Sequence, residues 1–253
     1  MAQPNEGPPR PSTPTCGGET VEFSKHSDII VSVSSSKDSS GTRRLVCFAL
    51  EAKALTSNSE YFSASLRFNA ANGHSDIELK DDDIDSMYVW LLYMQVAWEA
   101  DDSESEDSQR HAQKRRRLDS SSSDRAAEEK LFNHPVVKDT TIDHIWHIIN
   151  AADKYLLDAS ILRGFFDLWY KKNVQIRSLD ADLARQVVLP CYMFDHAAGF
   201  AEVTKWLAYN HDGHITEKRP EGFKWHHVRL APPDFVGKKC LPLLLSQHTD
   251  DLY

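Results

Sequence analysis

The sequence predicts an α/β (α+β) fold, a short three-stranded sheet with a helical cluster, followed by a mostly helical C-terminal extension. Three observations carry this prediction. A β-branched run, DIIVSVSS from Asp28, and a second short strand, LVCFA from Leu45, flank the turn-forming stretch SKDSSGTRR, which reads as a hairpin. A third short run, DIELK at Asp76–Lys80, alternates polar and apolar residues. From Asp81 onward the apolar residues recur at intervals of three and four, the period of a helix with one face buried. The 253 residues are 41% apolar, which suffices for a real core in one large domain or two small ones.

Each element has a local reason. After the hairpin, EAKALTSNSEYFSASLRF places Leu55, Tyr61, Phe62 and Leu66 at helical spacing. Ser57, Asn58 and Ser59 break it into two short helices, because Ser and Asn make good N-caps. After the third strand, Asp81, Asp82 and Asp83 put negative charge at the positive end of a helix dipole, ahead of the apolar stripe Ile84, Met87, Tyr88, Leu91 and Leu92. This helix is interrupted at about Glu99. Thr141 or Asp139 can cap the next, whose Ile142, Ile145, Ile149, Ala152 and Leu156 step by three and four. A further helix, Ala159–Lys172, carries Leu162, Phe165, Phe166 and Trp169.

In the C-terminal region, LDADLARQVVLP reads as a short helix stopped by Pro190. CYMFDHAAGFAEVTKWLAYN reads as another, with Phe194, Ala198, Ala201, Val203 and Leu207 as its buried positions. GHITEKRPEGF is a turn-rich connector, and a terminal helix is expected from about Pro242.

Composition excludes several function classes. The net charge of -9 gives no global basic footprint for nucleic acid. No stretch approaches the roughly 18 apolar residues of a membrane span, and MAQPNEGPPRPSTPTCGG lacks the apolar region of a secretory signal. Cys16, Cys47, Cys191 and Cys240 form no C-x-x-C pair and read as scattered free thiols, which suits a reducing, intracellular compartment. Phosphate-binding glycine loops, nucleophile elbows and H-E-x-x-H are missing, so no catalytic residue and no cofactor is expected. His211, His214 and Glu217 recur every three residues, but Gly213 argues for a polar turn over a metal site. His226 and His227, side by side, point in different directions in regular structure. Cys191 and His196 can meet, but no third group to orient them is indicated.

The order strand, strand, two short helices, strand, helix, helical pair resembles the BTB/POZ family, especially its fungal members. SDIIVSV at Ser27–Val33 looks like the family's opening strand, with Asp28 at its usual acidic position. LEAKALTSNSEYFSASL matches the pattern L-x-x-x-S-x-x-F at Leu55, Ser59 and Phe62. DIELKDDDIDSMYVWLLYMQ is similar to the third strand and following helix, and IWHIINAADKYLLDASILRGFFDLWY to the A-D-K-Y stretch, here Ala152–Tyr155, with its partner helix. The resemblance covers roughly residues 20–175. Two departures stand out: relatives carry His-Lys where Glu51-Ala52 stands here, and Tyr-Thr-Gly where Met94-Gln95-Val96 stands. YMFDHAAGF, VTKWLAYN and HDGHITE also look like the extension of fungal relatives.

The resemblance implies a BTB/POZ domain at 20–175 that acts as a non-enzymatic, self-associating adaptor or scaffold. Its first strand and first helices would pack against a second copy, which makes Asp28, Leu55, Ser59 and Phe62 candidate interaction residues, with Val21 and Phe23 as additions. A cullin-type ubiquitin ligase is a further implied partner. The competing class is a nuclear regulatory scaffold in which the domain only dimerises.

Two segments fall outside this framework. Residues 1–19 hold five of the eleven prolines and read as a disordered tail. Residues 99–130 form a charged insertion inside the domain, which costs about 1 kcal/mol of loop-closure entropy beyond a short loop. Its tract Lys114, Arg115, Arg116, Arg117 has three readings: a solvated charge run, a signal for a nuclear-import receptor, and a phosphate contact. The acidic block Asp101–Asp107 would compete with nucleic acid for it, which disfavours the last. Ser103, Ser105 and Ser120 suit an acid-directed kinase, whose phosphates would mask the tract by internal pairing. Residues 176–253 form the helical extension. The expected localisation is nuclear, cytoplasmic or both.

Overall fold

A computed structural model describes residues 18–36, 41–72, 76–102, 134–211, 218–221 and 223. The architecture is mixed α/β. Four strands, β1 (Glu19–Glu22), β2 (Ile29–Ser34), β3 (Leu45–Leu50) and β4 (Ile77–Lys80), form one sheet in the order β1-β3-β2-β4. β2 and β3 are the expected antiparallel hairpin, β4 runs parallel to β2, and β1 runs parallel to β3.

β1 is an addition to the three expected strands. Only Val21 of its four residues turns inward, too short a run for periodicity to mark. Its approach is close: a Cβ at Gly18 would lie 2.4 Å from the carbonyl oxygen of Leu45, so glycine is required there. On the core face, Val21, Phe48, Val31 and Ile77 fall in one register row across all four strands.

Cys47 corrects the reading of four free thiols. It is disulfide-bonded. It is fully buried in the middle of β3, and its Sγ lies 3.4 Å from the hydroxyl of Ser32. Cys191 is free and buried.

Two short helices, α1 (Ala52–Thr56) and α2 (Glu60–Ala71), carry the chain from β3 to β4. Ser59 separates them as expected: its backbone is extended, and its hydroxyl accepts from the Phe62 amide at 3.1 Å. α3 (Ile84–Asp102) runs three residues past the expected break, and the Asp83 carboxylate accepts from the Ser86 amide at 2.8 Å at its start. Met87, Val89, Trp90, Leu91, Tyr93 and Met94 are all buried, so α3 is a central helix covered on most sides instead of one with a single apolar stripe. The Trp90 indole donates to the Ile148 carbonyl at 2.9 Å.

After α4 (Pro135–Lys138), α5 (Ile142–Lys154) opens on a capping box in which Thr141 and His144 satisfy each other's backbone amides. α5 ends earlier than its apolar spacing predicts. Leu156 has a φ of 51° and is 63% exposed, so it belongs to the turn and not to the buried stripe. A 3-10 turn at Ala159–Leu162 leads into α6 (Arg163–Asn173), where one continuous helix was expected.

α7 (Ala181–Met193) passes through Pro190, which was expected to end it. A proline cannot donate to the carbonyl four residues back. That carbonyl, on Gln186, is satisfied by the Trp146 indole of α5 at 3.0 Å, a tertiary contact that local sequence cannot show. The chain breaks instead at Asp195 (φ 52°), and α8 (Ala197–Asn210) follows. Phe194, Val203 and Leu207 are buried as expected, whereas Ala198 and Ala201 are exposed because the helix starts later than the spacing implied. One continuous core joins the sheet to α3, α5, α6, α7 and α8.

A buried ionic network ties the two halves of residues 20–175 together. Asp82, at the β4–α3 junction, is 7% exposed. Lys154, the last residue of α5, places its ammonium 2.9 Å from both Asp82 oxygens and 3.0 Å from the Lys80 carbonyl. Tyr155 donates its hydroxyl to the same carboxylate, and the Ser59 hydroxyl donates to the Tyr155 carbonyl at 2.7 Å. Removing one partner of a buried pair strands the others. Asp82→Ala is therefore expected to lower unfolding stability by about 3–5 kcal/mol. Tyr155→Phe, which leaves the ion pair intact, should cost about 1–2 kcal/mol. Urea denaturation of both variants checks the order.

Candidate functional site

The four residues assigned to interaction by family resemblance do four structural tasks. Asp28, at the surface, accepts from the Ala52 amide at 2.6 Å and so fixes the start of α1. Leu55 and Phe62 have no exposed surface and sit in the core. Ser59 is 4% exposed and committed to the Phe62 amide and the Tyr155 carbonyl. They shape α1 and α2 from within. Lys114–Arg117, Ser103, Ser105 and Ser120 lie outside the described residues.

Glu51 is a hub, a role that its sequence context does not show. Its carboxylate accepts from the Ser24 hydroxyl at 2.9 Å, the Trp98 indole at 2.9 Å and the Gln95 amide at 3.2 Å. Its own backbone amide donates to Gln95 at 3.0 Å. The Ser24 and Trp98 hydrogen bonds hold the carboxyl below its ordinary pKa. The segment before β2, the end of β3 and the last turns of α3 thus meet on one carboxylate.

Two large apolar residues reach the surface on the outer side of α2. Tyr61 (36% exposed) and Phe68 (71%) lie seven residues apart, on the same side of the helix, with the exposed Ala64 between them. Tyr61 is held from beneath by the Phe62 and Tyr155 rings, at centroid distances of 5.5 and 5.0 Å. Asn69 donates to the Asp76 carbonyl at 2.6 Å, which fixes α2 against β4. Between them runs a groove of about 620 Å³, with Tyr61, Ala64 and Phe68 on one wall and Asp76, Ile77 and Glu78 on the other. Among the described residues β4 is a terminal strand of the sheet and pairs only with β2.

The polar cluster where α6, α7 and α8 meet brings Cys191 and His196 together, as their spacing allowed. The His196 amide donates to the Cys191 carbonyl at 2.8 Å. The imidazole accepts at Nδ1 from the Gly199 amide (3.0 Å), capping α8, so Nε2 carries the proton and donates to Asp167 at 3.2 Å. Burial works against the Asp167 charge, but Lys171 and His196 outweigh it and hold its carboxyl below the usual range. Burial also pushes the Cys191 thiol well above its ordinary pKa, away from the thiolate that a nucleophile requires. Both nitrogens of His196 are spent on structure.

No family model matches this chain, and no curated protein matches it. Among the described residues, no group of three His, Cys, Asp or Glu side chains is placed to hold a metal ion. Of the residues weighed as ligands from sequence, His211 ends α8, while His214, Glu217, His226 and His227 lie outside the described residues. No helix among the described residues is long and apolar enough to cross a membrane.

Two predictions follow from this geometry. A Cβ at Gly199 would lie 2.3 Å from His196 Nδ1, so Gly199→Ala should expel the imidazole from its cap and cost about 1–2 kcal/mol, the value of a helix cap. Thermal unfolding monitored by circular dichroism reads this. His147 on α5, against the ring of Phe223 at 4.9 Å, is held below its ordinary pKa by burial, with His144 adding to the effect and Asp83, Asp143 and Asp82 opposing it. A depressed histidine contributes stability above its unfolded pKa of about 6.5, and that contribution is lost as pH falls toward the folded value. His147→Gln should therefore flatten the fall in Tm between neutral and mildly acidic pH relative to the unchanged protein.

Proposed function

We propose that this protein is a non-enzymatic interaction module of the BTB/POZ kind, a self-associating adaptor or scaffold. Its chemistry is recognition: burial of exposed apolar side chains and pairing of open backbone against another chain. The observation that carries the reading is the run of elements β2, β3, α1, α2, β4, α3, α5, α6. This is the order on which the family resemblance rests. That run builds one sheet, with β1 and β4 as its two terminal strands. Unpaired strand edges are ready templates for another chain, and proteins that keep them use or protect them. Val21 and Phe23, half-buried at the β1 end, give that edge an apolar component suited to a second copy.

Recruitment of a cullin-type ubiquitin ligase is the more specific form of the adaptor reading. In relatives the ligase approaches the helix after the third strand and the loop beyond it. Here that helix is α3, and residues 103–133 follow it. A nuclear regulatory scaffold is the second reading, favoured by the basic tract Lys114–Arg117.

Light scattering at micromolar concentration tests self-association; a dimer or larger species is expected, and a clean monomer overturns it. Changing Lys114–Arg117 to alanine is expected to shift a tagged protein out of the nucleus if the scaffold reading holds, and an unchanged distribution counts against that reading.

A further inference from the structure

We propose that the groove between α2 and β4 binds an extended segment of a partner protein, in which an aliphatic residue is flanked by lysine or arginine. The inference rests on the reading of this protein as an interaction module and names the chemistry one surface would select. The outer edge of β4 has no strand partner among the described residues, so an incoming chain can add to the sheet by backbone hydrogen bonds.

The side chains define what that chain must carry. Tyr61 and Phe68 stand one on each side of the small Ala64 along α2. The hollow between the two rings fits an aliphatic side chain, and covering Phe68, now 71% exposed, is the main apolar gain on offer. Among the described residues the charged groups lining the groove are both carboxylates, Asp76 and Glu78, one on each side of Ile77. A strand laid against them is favoured by basic side chains and disfavoured by acidic ones. Glu78 is met by Lys80 at 3.0 Å, but both side chains are about 60% exposed. An ion pair so exposed is worth about 0–1 kcal/mol, so it yields readily to an incoming cation. The Asn69 bond to the Asp76 carbonyl fixes the two walls before binding, which lowers the ordering cost.

The test uses the full chain and three fluorescein-labelled synthetic peptides, read by anisotropy. The first alternates valine and lysine. The second alternates valine and glutamate. The third is the first with prolines replacing alternate valines, which removes the amide donors needed for strand addition. Saturable binding of the first alone is expected, with affinity lowered at least tenfold by Phe68→Ser and by Glu78→Lys. Both positions are exposed, so the variants should retain the circular dichroism spectrum and melting temperature of the unchanged protein. Equal affinity for the unchanged protein and Phe68→Ser would show mere attraction to net negative charge and would overturn the proposal. So would equal binding of the proline peptide, or no saturable binding at all. Light scattering on the same samples separates the two ideas: a dimer that ignores the peptide removes only this inference. A monomer that binds it removes only self-association.

Discussion

The fold depends on one buried carboxylate. Asp82 sits where the sheet hands over to α3 and accepts from two consecutive residues at the far end of α5. A charge in that position is tolerable only while Lys154 neutralises it and the Tyr155 hydroxyl fills its remaining acceptor capacity. Burial and the adjacent carboxylate hold the Tyr155 phenol protonated, far above its usual pKa, so it remains a donor at any physiological pH. Through the Tyr155 carbonyl and Ser59, the same network sets the N-terminus of α2. Residues separated by more than seventy positions are thereby fixed to one another, and the helix that walls the groove is fixed with them.

The core also holds the chain on both sides of residues 103–133. The end of α3 is anchored by Gln95 and Trp98 on Glu51, and the chain resumes at His134, whose Nε2 lies 3.1 Å from the Tyr88 hydroxyl. Both ends of residues 103–133 are thus attached to the core by contacts that do not involve the segment itself. Closure entropy rises only with the logarithm of length, so such a segment can be long at little cost to the fold.

The polar residues with the greatest catalytic potential serve as joints. His196 is an N-cap with an ionic tether to Asp167, and Glu51 is a three-donor clamp. Asp82 anchors two helices. The exposed apolar residues Tyr61 and Phe68 are held beside an open strand by Asn69 and the Tyr155 ring. These contacts make the surface beside α2 and β4 rigid, which lowers the ordering cost of any binding there.

By itself the sequence determined the elements whose cause is local. β2 and β3 follow from two short apolar runs around a turn, the break between α1 and α2 from the cap at Ser59, and the start of α5 from Thr141. The expected break at about Glu99 came three residues early, since α3 continues to Asp102. Tertiary structure decided what depends on distant partners. β1 exists because β3 offers an edge, and α7 continues through Pro190 because Trp146 satisfies the carbonyl that proline leaves open. α3 is buried on most sides because layers from both halves of the chain cover it. The motif residues Leu55 and Phe62 were legible as important but not as interior, since a pattern of residue types does not say which way a short helix faces. The groove beside β4 was invisible for the same reason: its walls come from a helix and a strand whose approach is set by Asn69 and, further back, by Asp82.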